Sequence, residues 1–218
     1  MKSLKDRGSI DPGKSIPVIN DKKALIGWLE SIDSRLCLDQ EIISSLTLWR
    51  KKFSNCFFSQ FEPTNERTKL WLENLIIKDD ARILFLIRDE SNKAIGNIGI
   101  RSLSGDSAEF DNLVRGESAG ASRFMFFSMI SFINWIYKVL KVNQIYLHVF
   151  SNNLKAIHLY ESVGFLRSDI FKCVKKQEGA EIHYTISPRS KILPGELSIV
   201  RMSLDKQGFL KSHFWLEA

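Results

Sequence analysis

The chain has 218 residues, 44% hydrophobic and 26% charged, which is enough apolar mass for one compact core. That balance excludes a disordered tail, a collagen-like rod and a disulfide-stapled miniprotein. A formal charge of +6 favours anionic ligands in general. The basic residues, however, lie in short runs such as Arg50–Lys52 and Lys175–Lys176, not in one stripe with aromatics between, so nucleic acid is not the expected partner.

Residues 1–20 show no hydrophobic period and read as a loosely packed leader. Leu25, Ile26, Trp28, Leu29 and Ile32 fall at helical spacing, so residues 1–35 are expected to be an N-terminal extension carrying a helix, followed by one domain over 36–218. Asp39 is a suitable N-cap for a helix with Ile42, Ile43, Leu46, Trp49 and Phe53 on one face. A third helix follows Pro63-Thr64 and carries Trp71, Leu72, Leu75 and Ile76. The pattern then becomes strand-like over 82–88, 94–103 and 107–114, with polar turns short enough to dictate an antiparallel meander.

An oily helix is expected over Ala119–Leu140, then a strand over Gln144–Phe150, a helix capped by Asn152 or Asn153, and a stop at Gly164. Strands over 165–174, 181–186 and 197–204 close the chain. They either complete the sheet or lend an edge to a second subunit. The order implies a mixed α/β sheet, mostly antiparallel, with one right-handed βαβ crossover and flanking helices. Cys37, Cys56 and Cys173 show no metal-ligand spacing and suit a reducing compartment. The N-terminal stretch lacks an apolar core of signal-peptide length. The oily run Phe124–Leu140 is broken by Ser128, Ser131, Asn134 and Lys138 and is short for a membrane span. A cytoplasmic protein without metal or membrane partner is therefore expected.

The informative turn is Phe110–Ala121, a strand running through small residues into a helix start. Backbone N–H groups and the positive end of a helix make such a turn an anion cradle, with Arg115 at its mouth; it also suits simple tight packing. A P-loop would need Lys-Ser/Thr after the second glycine, but Ala121-Ser122 follows Gly120. Gly116–Gly120 does spell the nucleophile elbow GxSxG, and Asp205 and His213 follow in hydrolase order. Against a hydrolase, no oxyanion segment precedes the elbow and the upstream strands are hairpin-linked.

Val149–Phe165, with Asn153, Ala156, Leu159, Tyr160, Glu161, Gly164 and Phe165 at the matching positions, resembles the closing motif of the GNAT superfamily of N-acetyltransferases. In that family the cofactor loop reads Gln/Arg-x-x-Gly-x-Gly/Ala after the fourth strand. Arg115, Ser118 and Gly120 fill those places, so Ser118 departs from the first glycine. The resemblance covers about residues 82–165 well and the N-terminal helices loosely.

The resemblance implies acetyl-CoA as donor and direct transfer to a primary amine. Backbone N–H groups near Leu113 and Val114 would hold the pantetheine arm and act as an oxyanion hole. Arg115, Gly116, Ser118, Ala119, Gly120 and Ala121 would take the pyrophosphate, and Asn153 the pantetheine amides. Tyr160 would protonate the leaving sulfur. Glu109 and Asp111 share a strand face; Glu109, nearer the family's usual acidic position, is the expected base, with His148 and His183 as fallbacks.

The phrases Trp49-Arg50, Trp71–Asn74, Ile95–Gly99 and Phe110–Gly116 look like the branch that acetylates nucleotide-linked amino sugars for surface polysaccharides. A basic, aromatic acceptor pocket would fit that substrate, whereas an open acidic groove would fit acetylation of a protein. A CoA-binding module without turnover is a third reading, and a homodimer is compatible with all of them.

Overall fold

Alternating apolar residues and helix-capping signals produce ten strands and five α-helices among the residues that the computed structural model describes: 15–187, 191–193, 195–213 and 216. In chain order these are β1 (Ile16–Ile19), β2 (Leu25–Ser31), α1 (Gln40–Lys52), β3 (Ser59–Gln60), α2 (Asn65–Trp71), β4 (Ile83–Asp89), β5 (Ala94–Ser104) and β6 (Ser107–Arg115). Then follow α3 (Phe124–Trp135), β7 (Gln144–Phe150), α4 (Leu154–Val163), β8 (Leu166–Glu178), β9 (Glu181–Ser187), β10 (Ser198–Asp205) and α5 (Lys206–Ser212). Wider π turns extend α2 over Leu72–Ile77 and α3 over Ile136–Leu140.

The strands form one sheet in the order β1-β2-β4-β5-β6-β7-β10-β8-β9-β3. Every pairing is antiparallel except β6 with β7, which α3 connects. The mixed sheet, the β4–β6 meander and the single crossover agree with the fold expected from sequence. The C-terminal strands complete the sheet, since β10 inserts between β7 and β8.

The local signals explain the helix ends. Asp39 Oδ1 accepts from the N–H groups of Glu41 and Ile42 at 2.9 and 3.1 Å, and Arg50, Lys51 and Lys52 face the negative end of α1. Gly164 stops α4 at φ +109, a left-handed conformation that glycine adopts without steric cost.

Three expectations are corrected. Residues 25–31 are strand, not helix: Leu25 pairs with Ile19 but Gly27 with Val18, so Ile26 is an extra residue in β2. This bulge re-aims the chain and puts Ile26 and Leu29 in the same core at a three-residue spacing that imitates a helix. Gly27 has φ +154, and a Cβ there would sit 2.2 Å from the Arg88 carbonyl oxygen. The loosely packed leader is likewise revised, because residues 16–19 form β1; residues 1–14 lie outside those described. Finally, α3 starts at Phe124 rather than Ala119. Gly120 at φ +98 and Arg123 at φ +57 both leave the right-handed helical region.

Two cores flank the sheet. Phe85, Phe110, Phe132, Leu147 and Val200 belong to the larger one, under α3 and α4. Leu46, Trp49, Leu72, Leu84 and Val114 belong to the smaller one, under α1 and α2. Ala108 and Phe110 face the larger core, so the alternating residues Glu109 and Asp111 point to the opposite face. Among the described residues no helix is long and apolar enough to cross a membrane.

Candidate active site

Strand β6 creates the site by failing to stay paired. Its parallel ladder with β7 runs Ser107–Gln144, Ala108–Ile145, Glu109–Tyr146 and then stops. On the other side its register with β5 slips: Asp111 lies opposite Gly99, but Val114 lies opposite Asn97. The extra residue is a bulge at Asn112, whose φ is +53, pinned by the Asn97 amide donating to the Asn112 carbonyl oxygen. The two strands therefore splay, and the edge of β6 that faced β7 opens into a hollow.

A cavity of about 670 Å³ fills the splay and is lined in part by Asp111, Leu113, Arg115, His148, Asn153 and Tyr160. A second hollow of about 290 Å³ lies under α1 and α2, with Arg50, Phe61, Arg67, Trp71 and Asn97 in its wall. The two share Phe57, Asn112 and Val114. The bulge is thus the wall between a large and a small compartment.

Tyr160 reaches the cavity from α4 and is 9% exposed. Its ring packs edge-on against Phe110 and lies tilted against Phe165, with centroids 6.3 and 6.0 Å away. Burial, with smaller contributions from the nearby Asp111 and Cys56, pushes the phenol well above its ordinary value, so it holds its proton throughout the physiological range. Asn153 caps α4, its Oδ1 accepting from Ala156 N–H at 3.4 Å, while also lining the cavity.

The two carboxylates of β6 differ sharply. Glu109 is 6% exposed and absent from the cavity wall. Its Oε1 accepts from Arg101 at 2.8 Å and lies 2.9 Å from His148 Nδ1. Burial acts to raise its pKa, but the hydrogen bonds and charges of His148 and Arg101 outweigh it and hold the carboxyl below its usual value. A carboxylate so well satisfied is a poor proton acceptor, which argues against the expected assignment of Glu109 as base. Asp111 does line the cavity, and burial above all raises its pKa. It also interacts electrostatically with Tyr160 on one side and Arg50 on the other.

The loop after β6 is organised differently from expectation. Arg115 does not stand free at its mouth: its guanidinium donates to the carbonyl oxygens of Glu117 and Ser118 at 3.2 Å and of Ala119 at 3.4 Å. Its role in this structure is to tie down the loop carbonyls, although its side chain still borders the cavity. Gly116 packs against Trp49, whose indole Nε1 donates to Glu117 at 3.0 Å, and Lys52 donates to the Gly116 carbonyl oxygen at 2.9 Å. Ser118, Gly120 and Ala121 are exposed, Ala119 is half-buried, and none of these or Gly116 lines the cavity. The start of α3, Phe124–Phe126, does, together with Arg123 and Lys155.

A Cβ on Gly116 would come within 2.0 Å of the Trp49 ring. Gly116→Ala is therefore expected to cost about 1–3 kcal/mol through overpacking, which at about 2–4 °C per kcal/mol is a clear fall in thermal midpoint. Calorimetry checks this; an unchanged midpoint would show that the loop is not clamped on α1.

The hydrolase alternative fails on geometry. Ser118 lies in the loop three residues beyond the end of β6. Asp205 N-caps α5, accepting from Gly208 N–H at 2.8 Å, and His213 is buried with Nδ1 3.0 Å from the Phe209 carbonyl oxygen. Among the described residues no cluster of His, Cys, Asp and Glu could hold a metal ion.

Sequence reasoning missed the wall formed by residues 53–61. Phe53, Cys56 and Phe58 border the large cavity, Phe61 the small one and Phe57 both. The segment reaches β9, where Ser59 and Gln60 pair with His183 and Ile182. Three phenylalanines in five residues, Phe57, Phe58 and Phe61, outside a helix pattern were the available signal, because a loop seldom carries so much apolar surface without a use.

Splayed strands, the cationic residues Arg123 and Lys155, a helix start and a protonated phenol meet in one cavity. An acetyltransferase (GNAT) domain family model matches residues 38–186, and the chain belongs to that family. It is an N-acetyltransferase with acetyl-CoA as donor. The spermidine N(1)-acetyltransferase of Vibrio cholerae serotype O1 is 30% identical over 130 residues, which span 59% of this chain and 73% of that protein. A crystal structure of Vibrio cholerae spermidine N-acetyltransferase with CoA and spermine superposes with TM-score 0.60 at 22% identity, covering 84% of this chain and 96% of that one. A second from the same organism, with manganese ions, gives 0.54 at 19%, covering 84% and 95%.

Proposed function

We propose that the enzyme acetylates the primary amine of a small molecule that also carries negative charge, with a nucleotide-linked amino sugar as the acceptor class. The observation that supports this is Arg50 in the small compartment. Its guanidinium lies 3.5 Å from the Phe57 ring centroid and 5.1 Å from that of Phe61, and it donates to the Ser59 carbonyl oxygen at 2.7 Å. Desolvation pushes its pKa down to about 10, against the pull of Asp111. A half-buried guanidinium without a bidentate carboxylate partner among the described residues is left to be completed by an anion. Arg67 adds a second cation at the same wall, 4.1 Å from the Phe61 centroid and bridged to Glu181 at 2.8 Å.

The relatives named above are spermidine acetyltransferases, so a polyamine is the rival acceptor. The pocket's lining contains two arginines and no carboxylate, which repels a polycation and suits a phosphate. The aromatic wall of Phe57, Phe61 and Trp71 offers flat surface for a sugar or base.

Acetyl-CoA, when bound, supplies an acetyl group activated as a thioester. The open edge of β6 at Leu113 and Val114 would hold its pantetheine arm, Asn153 its amides, and the start of α3 with Arg123 and Lys155 its phosphates. Asp111, at the junction of the compartments, takes the proton from the acceptor ammonium; its raised pKa makes it the stronger base of the two carboxylates. Tyr160 keeps a proton at Oη for the departing sulfur.

The test is CoA release with acetyl-CoA and a panel of amines: spermidine, a neutral amino sugar and a nucleoside-diphosphate-linked amino sugar. The nucleotide-linked acceptor is expected to have the highest kcat/KM. Arg50→Gln should cost it about 1.5–3 kcal/mol, or roughly ten- to hundredfold, without loss on the neutral sugar. Preference for spermidine, or an equal loss on both sugars, overturns the acceptor assignment.

A further inference from the structure

Acetylation of an ammonium releases one proton net, and the group that first takes it sits in a desolvated cavity. Asp111 interacts electrostatically with Arg101, Glu109 and Arg82, and with Arg50 of the small compartment. For repeated turnover its proton must leave.

The splay supplies a second group at the equivalent place. Glu109 and Tyr146 are the last paired residues of β6 and β7. Two residues further along each strand stand Asp111 and His148, one on each lip of the opening, and both line the cavity. The His148 side chain is 14% exposed, and its Nδ1 lies 2.9 Å from Glu109 Oε1. That bond fixes the ring, and among the described residues Nε2 has no hydrogen-bond partner. Around the ring, Tyr146 packs edge-on at 5.7 Å and Phe171 of β8 lies at 6.2 Å. Arg201 of β10, the cross-strand neighbour of His148, has its guanidinium 4.4 Å from the Tyr146 ring centroid, and Asp169 of β8 lies opposite Arg201 in the backbone register. Arg101, which shares Glu109 Oε1, is 37% exposed, so the cluster extends from the cavity to solvent.

We propose that His148, held by Glu109, carries the reaction's proton from Asp111 out of the active site. An N–H bond of the acceptor ammonium breaks, its electron pair stays on nitrogen, and the proton passes to the Asp111 carboxylate and then, across a bridging water, to His148 Nε2. As the new C–N bond forms and the C–S bond breaks, Tyr160 gives its proton to the departing sulfur and the second N–H proton returns to the Tyr160 oxygen, so the only net proton released is the one that passed to Asp111. The imidazolium is stabilised by Glu109, which is a positioning residue with no contact to substrate. Loss of the proton to solvent resets it.

This inference rests on the acetyl-transfer reading above, and its test has one arm that needs no turnover. With whichever panel amine is turned over, His148→Gln should lower kcat at neutral pH by about tenfold or more, with the KM for acetyl-CoA unchanged. The loss should shrink as pH rises and as imidazole is added, because hydroxide and free imidazole can take the proton. In the ligand-free protein, the bond to Glu109 should protect the His148 Nδ1 proton from exchange so that NMR detects it, and Glu109→Ala should abolish that signal because the acceptor is gone. Wild-type kcat in His148→Gln, or a loss that neither pH nor imidazole relieves, overturns the relay. If that variant does not fold, a His148 Nδ1 proton signal left unchanged by Glu109→Ala overturns it instead. Failure of every amine would count against the acceptor reading and leave the NMR result to decide this one.

Discussion

Asp111→Asn is expected to lower kcat by about 10²–10⁴-fold while leaving the protein as stable as the parent or more so. The two effects share a cause. Burial raises the folded-state pKa of Asp111 above its ordinary carboxylate value, so the folded chain holds this proton more tightly than the unfolded chain does. The associated stability is fully present below the unfolded pKa and is lost as pH rises through the folded one. Above the folded pKa the ionised side chain costs stability, and the neutral amide removes that cost. Glu109 has the opposite sign: its folded pKa is depressed, so its contribution is present above the ordinary glutamate value and is lost as pH falls. Glu109→Gln should accordingly weaken the fold at neutral pH where Asp111→Asn does not. Thermal midpoints and kcat for the two variants decide the matter. An Asp111→Asn enzyme that keeps parental kcat would remove Asp111 as the base.

Tyr160→Phe is expected to lower kcat by about 10²-fold or more, with acetyl-CoA affinity and thermal midpoint close to the parent. The ring contacts with Phe110 and Phe165 survive in phenylalanine. Among the described residues the phenol oxygen makes no hydrogen bond whose loss would destabilise the fold. Because burial keeps the phenol protonated well beyond neutrality, the deficit should be constant from pH 6 to 9, in contrast to the pH-dependent loss expected at His148. Steady-state profiles of kcat and calorimetric titration of acetyl-CoA provide the readout. A variant as active as the parent removes Tyr160 as proton donor, and a parallel loss of acetyl-CoA binding assigns it a binding role instead.

Where a single residue type and its nearest neighbours carry the information, sequence and structure agree. Asp39, Asn153 and Gly164 act at the helix ends where their chemistry places them, because a cap needs only the backbone two or three residues away. Strands β4, β5 and β6 could be read from alternation and short polar turns. The motif around Tyr160 is also local, since one short helix and its two ends carry it.

Pairing over distance decided the rest. In β2 the bulge at Ile26 made a strand look helical, and its pairing with β1 created that bulge. Glu109 and Asp111 are indistinguishable by period. Only the end of the β6–β7 ladder after Glu109, and the slip against β5 at Asn112, separate an ion-paired carboxylate from one that opens on the cavity. Arg115 turned back onto its own loop because three carbonyl oxygens converge there. The aromatic wall of residues 53–61 exists because β9, more than a hundred residues later, holds it in place. Composition, caps and alternation are properties of neighbours along the chain and so were legible in this sequence. The acid–base geometry depends on where two strands stop bonding to each other, which is a property of the assembled sheet.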